Sequence, residues 1–149
     1  MKNKLGLKGK FRIENITTGQ IVNQTNSIHN VGFSSTTAFL GSGIPNPNSF
    51  SYISLGVGSS AINTADTTLG SEYLKQSADS IAQTTTTVSN DTLTFEGNFI
   101  ADAAKTINEA GIFNASGTNT GSMLARTGFA DIVAASGDKI NVTYSIQVS

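Results

Sequence analysis

The chain has 149 residues, a formal net charge of −1 and charged side chains at 13% of its positions, against about 25% in an average globular domain. It contains no cysteine, which excludes disulfide bonds, thiolate zinc sites and a cysteine nucleophile. No segment approaches the roughly 20 apolar residues of a membrane-spanning helix, and the lysine-containing N-terminus lacks the apolar run of a secretory signal. We therefore expect one soluble domain, residues 1–149, synthesised in the cytosol.

The few charges are unevenly distributed. The first 14 residues carry five basic side chains and one acid, a net charge of +4, whereas the rest carries four basic and nine acidic side chains, a net charge of −5. The basic residues of this N-terminal segment are Lys2, Lys4, Lys8, Lys10 and Arg12. Because no other part of the chain shows such an asymmetry, these five residues are the candidate interface.

The N-terminal part of the chain predicts two strands, a helix and a loop. From Leu5 to Glu14, apolar side chains occupy odd positions and charged ones even positions. This period of two predicts a strand with a buried apolar face and a basic outer face. The elements expected after it are a turn at 15–19, a returning strand at 20–23, a helix at 30–40 ended by Gly41, and a loop at 41–49.

The remainder predicts a series of short strands. Apolar or β-branched runs between turn residues place strands at 50–57, 81–88, 91–100, 107–114, 123–129 and 139–149. The strand at 81–88 contains four consecutive threonines, which favour β structure. The pattern slips at Ala110–Gly111, which predicts a bulge. Ile132 and Val133 lead into a turn at Gly137–Asp138, and the polar segment 58–72 predicts no packed helix.

The last eleven residues alternate polar and apolar side chains without exception, from Lys139 to Ser149. Burying the five apolar ones is worth roughly 8–15 kcal/mol gross, at about 1.5–3 kcal/mol each. Together the elements predict an all-β fold: an antiparallel, jelly-roll-like β-sandwich of about eight strands with at most one short helix.

Candidate catalytic residues are few. His29 is the only histidine, and the chain has no GxSxG motif to accompany a Ser–His–Asp triad, so we interpret His29 as structural or solvated. A hydrolase built on it is a weak alternative. The segment Gly56-Val57-Gly58 with Ala61 forms a nominal GxGxxA, but neither an amphipathic helix nor a Walker lysine follows. We interpret this motif as a tight turn after a strand.

Acidic residues offer no recognisable metal motif. Asp66, Thr68 and Glu72 carry oxygen ligands, but their spacing does not fit an EF-hand. The remaining acids considered are isolated in the sequence: Asp91, Asp102, Glu109 and Asp138. A glycosidase-like carboxylate pair would need two of them to be brought together by the fold. We therefore expect solvated turn carboxylates, no metal site and no cofactor.

The basic face of the first strand has three interpretations. Nucleic-acid binding would need aromatic side chains among the basic ones, and Phe11 falls on the opposite, buried face. Alternatively, lysines on an edge strand prevent edge-to-edge pairing. Docking on an acidic protein surface fits best, since charge complementarity speeds and orients the encounter of two proteins.

Two sets of sequence blocks resemble small virion structural proteins of tailed bacteriophages. The first set is YISLGVG at 52–58, then Asp66-Thr67-Thr68-Leu69 and Glu72. The second set is EAGIFN at 109–114, then MLART at 123–127 with Phe129, then Gly137-Asp138 before the last strand. The resemblance covers roughly residues 50–72 and 107–149. Such proteins often carry Trp in the terminal strand, where this chain has Tyr144.

The resemblance implies a non-enzymatic β-sandwich component of a virion, assembled in the host cytoplasm. We expect a capsid decoration or cement protein that docks on the major capsid protein through its basic N-terminal segment, residues 1–14. Self-association at a symmetry axis of the shell, for example as a trimer, would add avidity. No membrane and no direct nucleic-acid partner is expected.

Two alternatives to capsid decoration stay open. The first is a neck, tail, baseplate or fibre subunit, since these also use small β domains. The second is a receptor- or carbohydrate-binding module. No tryptophan is available to stack on a sugar ring, and the tyrosines are Tyr52, Tyr73 and Tyr144.

Overall fold

The computed structural model describes residues 6–40 and 49–149, and it confirms the all-β class predicted from the sequence. Within these ranges there are nine strands, where about eight were expected, and one helix. The elements are β1 (Leu7–Asn15), β2 (Gln20–Ile28), α1 (Asn30–Leu40), β3 (Tyr52–Gly56), β4 (Glu72–Ser77), β5 (Ser80–Thr84), β6 (Thr92–Ile100), β7 (Lys105–Phe113), β8 (Met123–Ala134) and β9 (Lys139–Val148).

The strands form two antiparallel sheets that are joined through β2. Their hydrogen-bonded order is β4-β3-β7-β8-β2-β1-β9-β6-β5. β2 pairs with β1 through residues 20–26 and with β8 through residues 27 and 28. We call β2, β1, β9, β6 and β5 sheet I, and β4, β3, β7 and β8 sheet II. The first and last strands therefore lie side by side in sheet I, where β1 pairs with β9 along its whole length.

The facing surfaces of the two sheets enclose one apolar core. Its largest fully buried side chains include Tyr144, Phe11, Phe95, Ile13, Ile53, Leu55, Ile107 and Ile112. Phe11 and Tyr144 are paired across β1 and β9, and the centroids of their rings lie 4.4 Å apart. The alternation predicted for the last strand is confirmed from Ile140 to Tyr144. It fades towards Val148, which is 45% exposed.

The strand predicted at 81–88 is wrong beyond Thr84, where β5 ends. The carboxylate of Asp91 accepts hydrogen bonds from the backbone N–H groups of residues 86, 87 and 88, at 2.8, 2.9 and 3.0 Å. These bonds close a turn, because a side-chain acceptor competes with the strand ladder for backbone donors. Local capping thus overrides the β propensity of the four threonines.

The bulge predicted at Ala110–Gly111 is also wrong, and β4 was not predicted at all. β7 pairs with β3 in regular register over residues 109–113. The two irregularities lie in β8: residues 129–131 stand opposite the single residue Asn108, and Leu124 is an extra residue between the partners of Ile112 and Phe113. The apolar pattern of β7 loses its alternation because the strand is central and residues 109–113 are all buried, as expected for a strand covered on both faces.

The helix predicted at 30–40 is confirmed as α1. It packs closely on β8 at Gly32, where a Cβ would lie 2.8 Å from Leu124. His29, just before the helix, is fully buried. Its N–H donates to the carbonyl of Leu124, and its carbonyl accepts from the N–H of Phe33. The loop predicted at 41–49 lies, apart from Ser49, outside the described residues.

Candidate docking interface

The candidate interface residues of β1 lie on the outer face of sheet I. Lys8 and Lys10 are exposed and Arg12 is partly exposed, whereas Phe11 and Ile13, between and beyond them, are 0% exposed. The basic outer face predicted for this strand is therefore confirmed. Lys2 and Lys4, the other two candidate residues, lie outside the described residues.

Neutral polar side chains surround the two exposed lysines. Gln147 of β9 stands beside Lys8, and Ser145 of β9 stands beside Lys10. On the other side of Lys10 stands Thr25 of β2. The two ammonium groups therefore project from a surface rich in hydroxyl and amide groups, with no acid at these adjacent register positions.

Arg12 differs from the two lysines because an acid on the same strand neutralises it. Its Nη1 atom lies 2.8 Å from Oε2 of Glu14. An exposed pair of this kind contributes at most about 1 kcal/mol to stability, but it leaves little net charge at the site. Within residues 6–40 and 49–149, neither Lys8 nor Lys10 has such a partner. These two lysines are the cations that β1 presents on this face. Lys139 of β9 is exposed on the same face, towards the other end of the strands.

β1 is not an edge strand, since it lies between β2 and β9. The interpretation of its lysines as guards of a sheet edge is therefore wrong. Phe11 packs into the core beneath them. The strand thus presents no aromatic ring on which a nucleobase would stack.

A buried ion pair on sheet II was not predicted from the sequence. Glu109 of β7 is 1% exposed. Its carboxylate accepts hydrogen bonds from the backbone N–H groups of Gly58, Gly70 and Ser71, at 2.9, 2.9 and 2.7 Å. It also accepts from Nε and Nη2 of Arg126 on β8, at 3.1 and 2.8 Å. Five N–H donors therefore satisfy one carboxylate.

Arg126 connects this pair to the segment 57–71, which we call the strap. Its Nη1 donates to Oδ2 of Asp66 at 2.6 Å, and its Nη2 donates to Oγ of Ser60 at 2.8 Å. The backbone hydrogen bond from Asn63, together with Arg126, holds the pKa of Asp66 below its ordinary value. The strap is thereby bound to the outer face of sheet II at several points.

Glycines allow the strap to approach the sheet closely. A Cβ on Gly58 would overlap the carboxylate of Glu109, and a Cβ on Gly111 would lie 2.9 Å from Phe113 and 3.0 Å from Leu69. Gly58, which ends the GxG motif, thus makes room for a protein carboxylate. The tight turn expected directly after the strand is therefore wrong, because residues 57–63 form no turn, and the glycine serves close packing instead.

Lys75 of β4 is likewise engaged within the fold. Its Nζ lies 3.0 Å from Oε2 of Glu72, and both side chains are almost fully buried. The same nitrogen donates to the carbonyl oxygens of Gly117 and Thr120, at 2.9 and 3.3 Å, and lies 4.0 Å from the ring centroid of Phe113. Lys75 therefore fixes the β7–β8 loop and is not available to a partner.

The oxygen ligands considered for a metal ion do not converge. Asp66 is bound to Arg126, Glu72 is paired with Lys75, and Thr68 lies in the strap between them in sequence. No group of three His, Asp or Glu side chains that could hold a metal ion occurs in the part of the chain that the structure describes.

The other acids stabilise turns and strand ends. The backbone N–H of Val88 and its neighbours, with the amide of Gln147, hold the pKa of Asp91 well below its ordinary range. A hydrogen bond from the Asn15 side chain lowers the pKa of Asp138. These are structural roles, since each carboxylate accepts its bonds from groups of the fold itself.

The three tyrosines are also engaged in the fold. Tyr144 is 0% exposed, and Tyr52 packs against the cluster of Leu69, Phe113 and Met123. The hydroxyl of Tyr73 donates to Oδ1 of Asp102 at 2.6 Å. Burial of the ring, and to a smaller extent this hydrogen bond, raise the pKa of Tyr73. None of them stands on the surface as a platform for a sugar ring.

An apolar cleft of about 470 Å³ opens between α1 and one end of sheet I. It is lined by side chains that include Leu7, Phe39, Ile81, Leu93, Ile146 and Val148. Asp91 is the only titratable residue among its described lining residues, and its carboxylate is bound to the turn at 86–88. The cleft therefore brings no catalytic pair of groups together.

Within residues 6–40 and 49–149, no helix has both the length and the apolar character that crossing a membrane requires. Comparison of the chain with protein-family models, with curated proteins and with solved structures finds no match.

Proposed function

We propose that this protein is a non-enzymatic structural component of a tailed-bacteriophage virion, and within that class a capsid decoration protein. It docks on the shell through the outer face of β1. The observation that carries the proposal is the pair of exposed ammonium groups of Lys8 and Lys10 on β1, an interior strand of sheet I. Among the described residues no acid neutralises them, whereas Arg126 and Lys75 are buried in internal ion pairs.

The sequence blocks that resemble virion proteins add independent support. Residues that are far apart in these blocks contact one another around the strap. Asp66 of the first set binds Arg126 of the second, and Leu69 of the first set packs with Phe113 and Met123 of the second. The two sets therefore form one structural unit, as expected if they are the signature of one kind of domain.

The geometry of sheet I suits decoration of a shell. A docking element works best on rigid structure, because little conformational entropy is then lost on binding. β1 is held on both sides by ladders of backbone hydrogen bonds. Two cations on such a surface fit an acidic patch of a major capsid protein, where charge complementarity fixes orientation and increases the association rate.

The test is a matched pair of charge reversals. The double variant Lys8→Glu/Lys10→Glu should bind purified particles of the encoding phage at least about tenfold more weakly than the wild type. The control is Lys105→Glu/Lys139→Glu, which makes the same change in net charge at exposed positions in β7 and at the start of β9. Lys139 lies on the same face of sheet I but six residues along β9, roughly 20 Å, from the position beside Lys10. The control variant should bind like the wild type. Occupancy is measured by co-sedimentation, after circular dichroism has confirmed folding.

Equal binding by the two double variants would contradict docking through β1. The place in the particle is tested separately, by gold-labelled antibody against the protein. Gold particles on the heads would support the decoration role. Gold confined to the neck, tail or baseplate would contradict it and would favour a neck, tail or baseplate subunit.

A further inference from the structure

β5 leaves one side of sheet I open. It pairs with β6 over five residue pairs in uninterrupted register, and it is the last strand in the order. All five of its residues are exposed, and within the described ranges no strand pairs with its other side. A row of backbone N–H and C=O groups therefore faces outward, which is a template for a further strand.

This edge lacks the features that usually prevent pairing. Residues 80–90 contain no charged side chain, no proline and no glycine, and charges, prolines and bulges are the devices by which edge strands avoid one another. The opposite edge, β4, differs. It carries the Glu72–Lys75 pair and a register shift against β3, and Lys75 binds the loop at 117–120. Of the two edges, β5 is the one that the described residues leave open to a partner.

We propose that β5 is the contact through which a second copy of this chain associates, by antiparallel pairing of two β5 strands about a two-fold axis at Ala82. An interface of this symmetry must be self-complementary. In this register Ala82 meets Ala82 of the second copy, and Ser80 meets Thr84 of the second copy. All five residues are paired, the smallest side chain lies on the axis, and no like charges meet.

The side chains on the cleft side of β5 support the same register. Ile81 and Gln83 line the cleft, and Ile81 is 43% exposed. In the paired strands Ile81 would stand opposite Gln83 of the second copy, with the two Ile81 side chains as diagonal neighbours within reach of each other. Pairing would thus cover an apolar side chain that the single chain leaves in water.

The interface between two β5 strands would bury little surface, so the dimer should form only where the protein is concentrated. Five residue pairs bury less than the roughly 1,000 Å² that a stable interface needs, so the dimer is weak in dilute solution. It becomes populated where copies are held at high local concentration. The pairing itself requires no capsid, and it can be measured on the purified protein.

Cysteine cross-linking tests the register directly, since the native chain has no cysteine. In Ala82→Cys the paired residues would lie about 4.5–5.5 Å apart between Cα atoms, a separation that a disulfide spans. In the control Thr84→Cys the two cysteines would be about 13 Å apart, because four residues of strand separate them. Under mild oxidation at the same concentration, Ala82→Cys should give at least tenfold more covalent dimer.

Equal yields from the two cysteine variants, or no dimer from Ala82→Cys, would overturn the proposal. A second measurement does not depend on oxidation. In sedimentation velocity at rising concentration, the wild type and Ser77→Lys, on the β4 edge, should show a growing dimer fraction. Ala82→Lys, which places two like charges on the axis, should stay monomeric. A wild type that is monomeric throughout, or an Ala82→Lys variant that dimerises like it, would refute pairing through β5.

Discussion

At the scale of single residues, Glu109 is the side chain whose change should be most costly. Glu109→Gln keeps the shape but removes the charge that faces Arg126 in a buried site. Removing one partner of a buried ion pair costs about 3–5 kcal/mol. Arg126 would still be paired with Asp66 in this variant. We therefore expect a loss near the lower end of this range, about 3 kcal/mol in the free energy of unfolding measured with urea.

The control for this change is Asp131→Asn, which removes one negative charge from an exposed position on β8. It should change the free energy of unfolding by about 0.5 kcal/mol or less. Similar losses in the two variants would show that net charge, and not the Glu109–Arg126 contact, matters to stability.

Asp91 makes stability depend on acidity. Its pKa in the folded protein is below the ordinary 3.8, so folding favours the ionised form. The stabilisation is complete above the unfolded pKa, near pH 4, and is lost as the pH falls through the lower folded pKa. Asp91→Asn should therefore be less stable than the wild type at pH 7, and the gap should narrow below about pH 4. Thermal unfolding between pH 2 and pH 7 measures it, and a constant gap would contradict this role.

At the scale of elements, the strap depends on packing as well as on charge. Leu69 is 4% exposed and packs on Phe113 and Met123. Leu69→Ala should cost about 2–4 kcal/mol and should increase hydrogen exchange in residues 57–71. Leu40→Ala, at a residue of α1 that is 78% exposed, is the matched control and should cost about 0.5 kcal/mol or less. Unchanged exchange of the strap in Leu69→Ala would show that the strap is held by the ion pair alone.

The sequence predicts most of the strands, and it defines the faces of those whose burial is one-sided. β1 and β9 each have one face on the core and one outside, so a period of two identifies them and the basic face of β1. β7 is predicted as a strand but shows no such alternation, because both of its faces are covered. β4 is not predicted, because all but the last of its residues are partly buried, which leaves no alternation to detect.

The contacts that hold the strap could not be predicted in the same way. Glu109 and Arg126 are 17 residues apart, and Asp66 is 60 residues from Arg126. Their meeting depends on sheet register, which no local pattern encodes. The available signal was the presence of all three residues in the blocks that resemble virion proteins. Asp91 is the opposite case, because its carboxylate accepts hydrogen bonds from residues only three to five positions away in the sequence. This local capping stops the strand that the β propensity of the threonines predicts.

At the scale of the whole molecule, the two outer faces differ in how their charged side chains are engaged. The outer face of sheet II is covered by the strap and by the loop that Lys75 fixes, and the acids and bases there bind one another. The outer face of sheet I carries no such cover in the described residues, and it displays Lys8 and Lys10. The charges on one face of the sandwich thus stabilise the fold, and the proposed docking site lies on the other face.

The arrangement of the edges follows the same division. β4 is occupied by its ion pair and the adjacent loop, whereas β5 is neutral and, in residues 6–40 and 49–149, uncovered. A molecule that docks through β1, three strands away from β5 in sheet I, would keep β5 free at its side. Neighbouring copies on a shell would then be able to meet edge to edge without disturbing the docking face.

The most direct measurement is a cryo-electron microscopy reconstruction of particles of the tailed bacteriophage that we propose as the source of the chain. We expect one density of the size of this domain, or a cluster of such densities, on the outer surface of the head. In the fitted structure the outer face of β1 should meet the shell, with Lys8 and Lys10 against acidic side chains of the major capsid protein. A head without this density, or a fit in which the two lysines point to solvent, would contradict the proposed role.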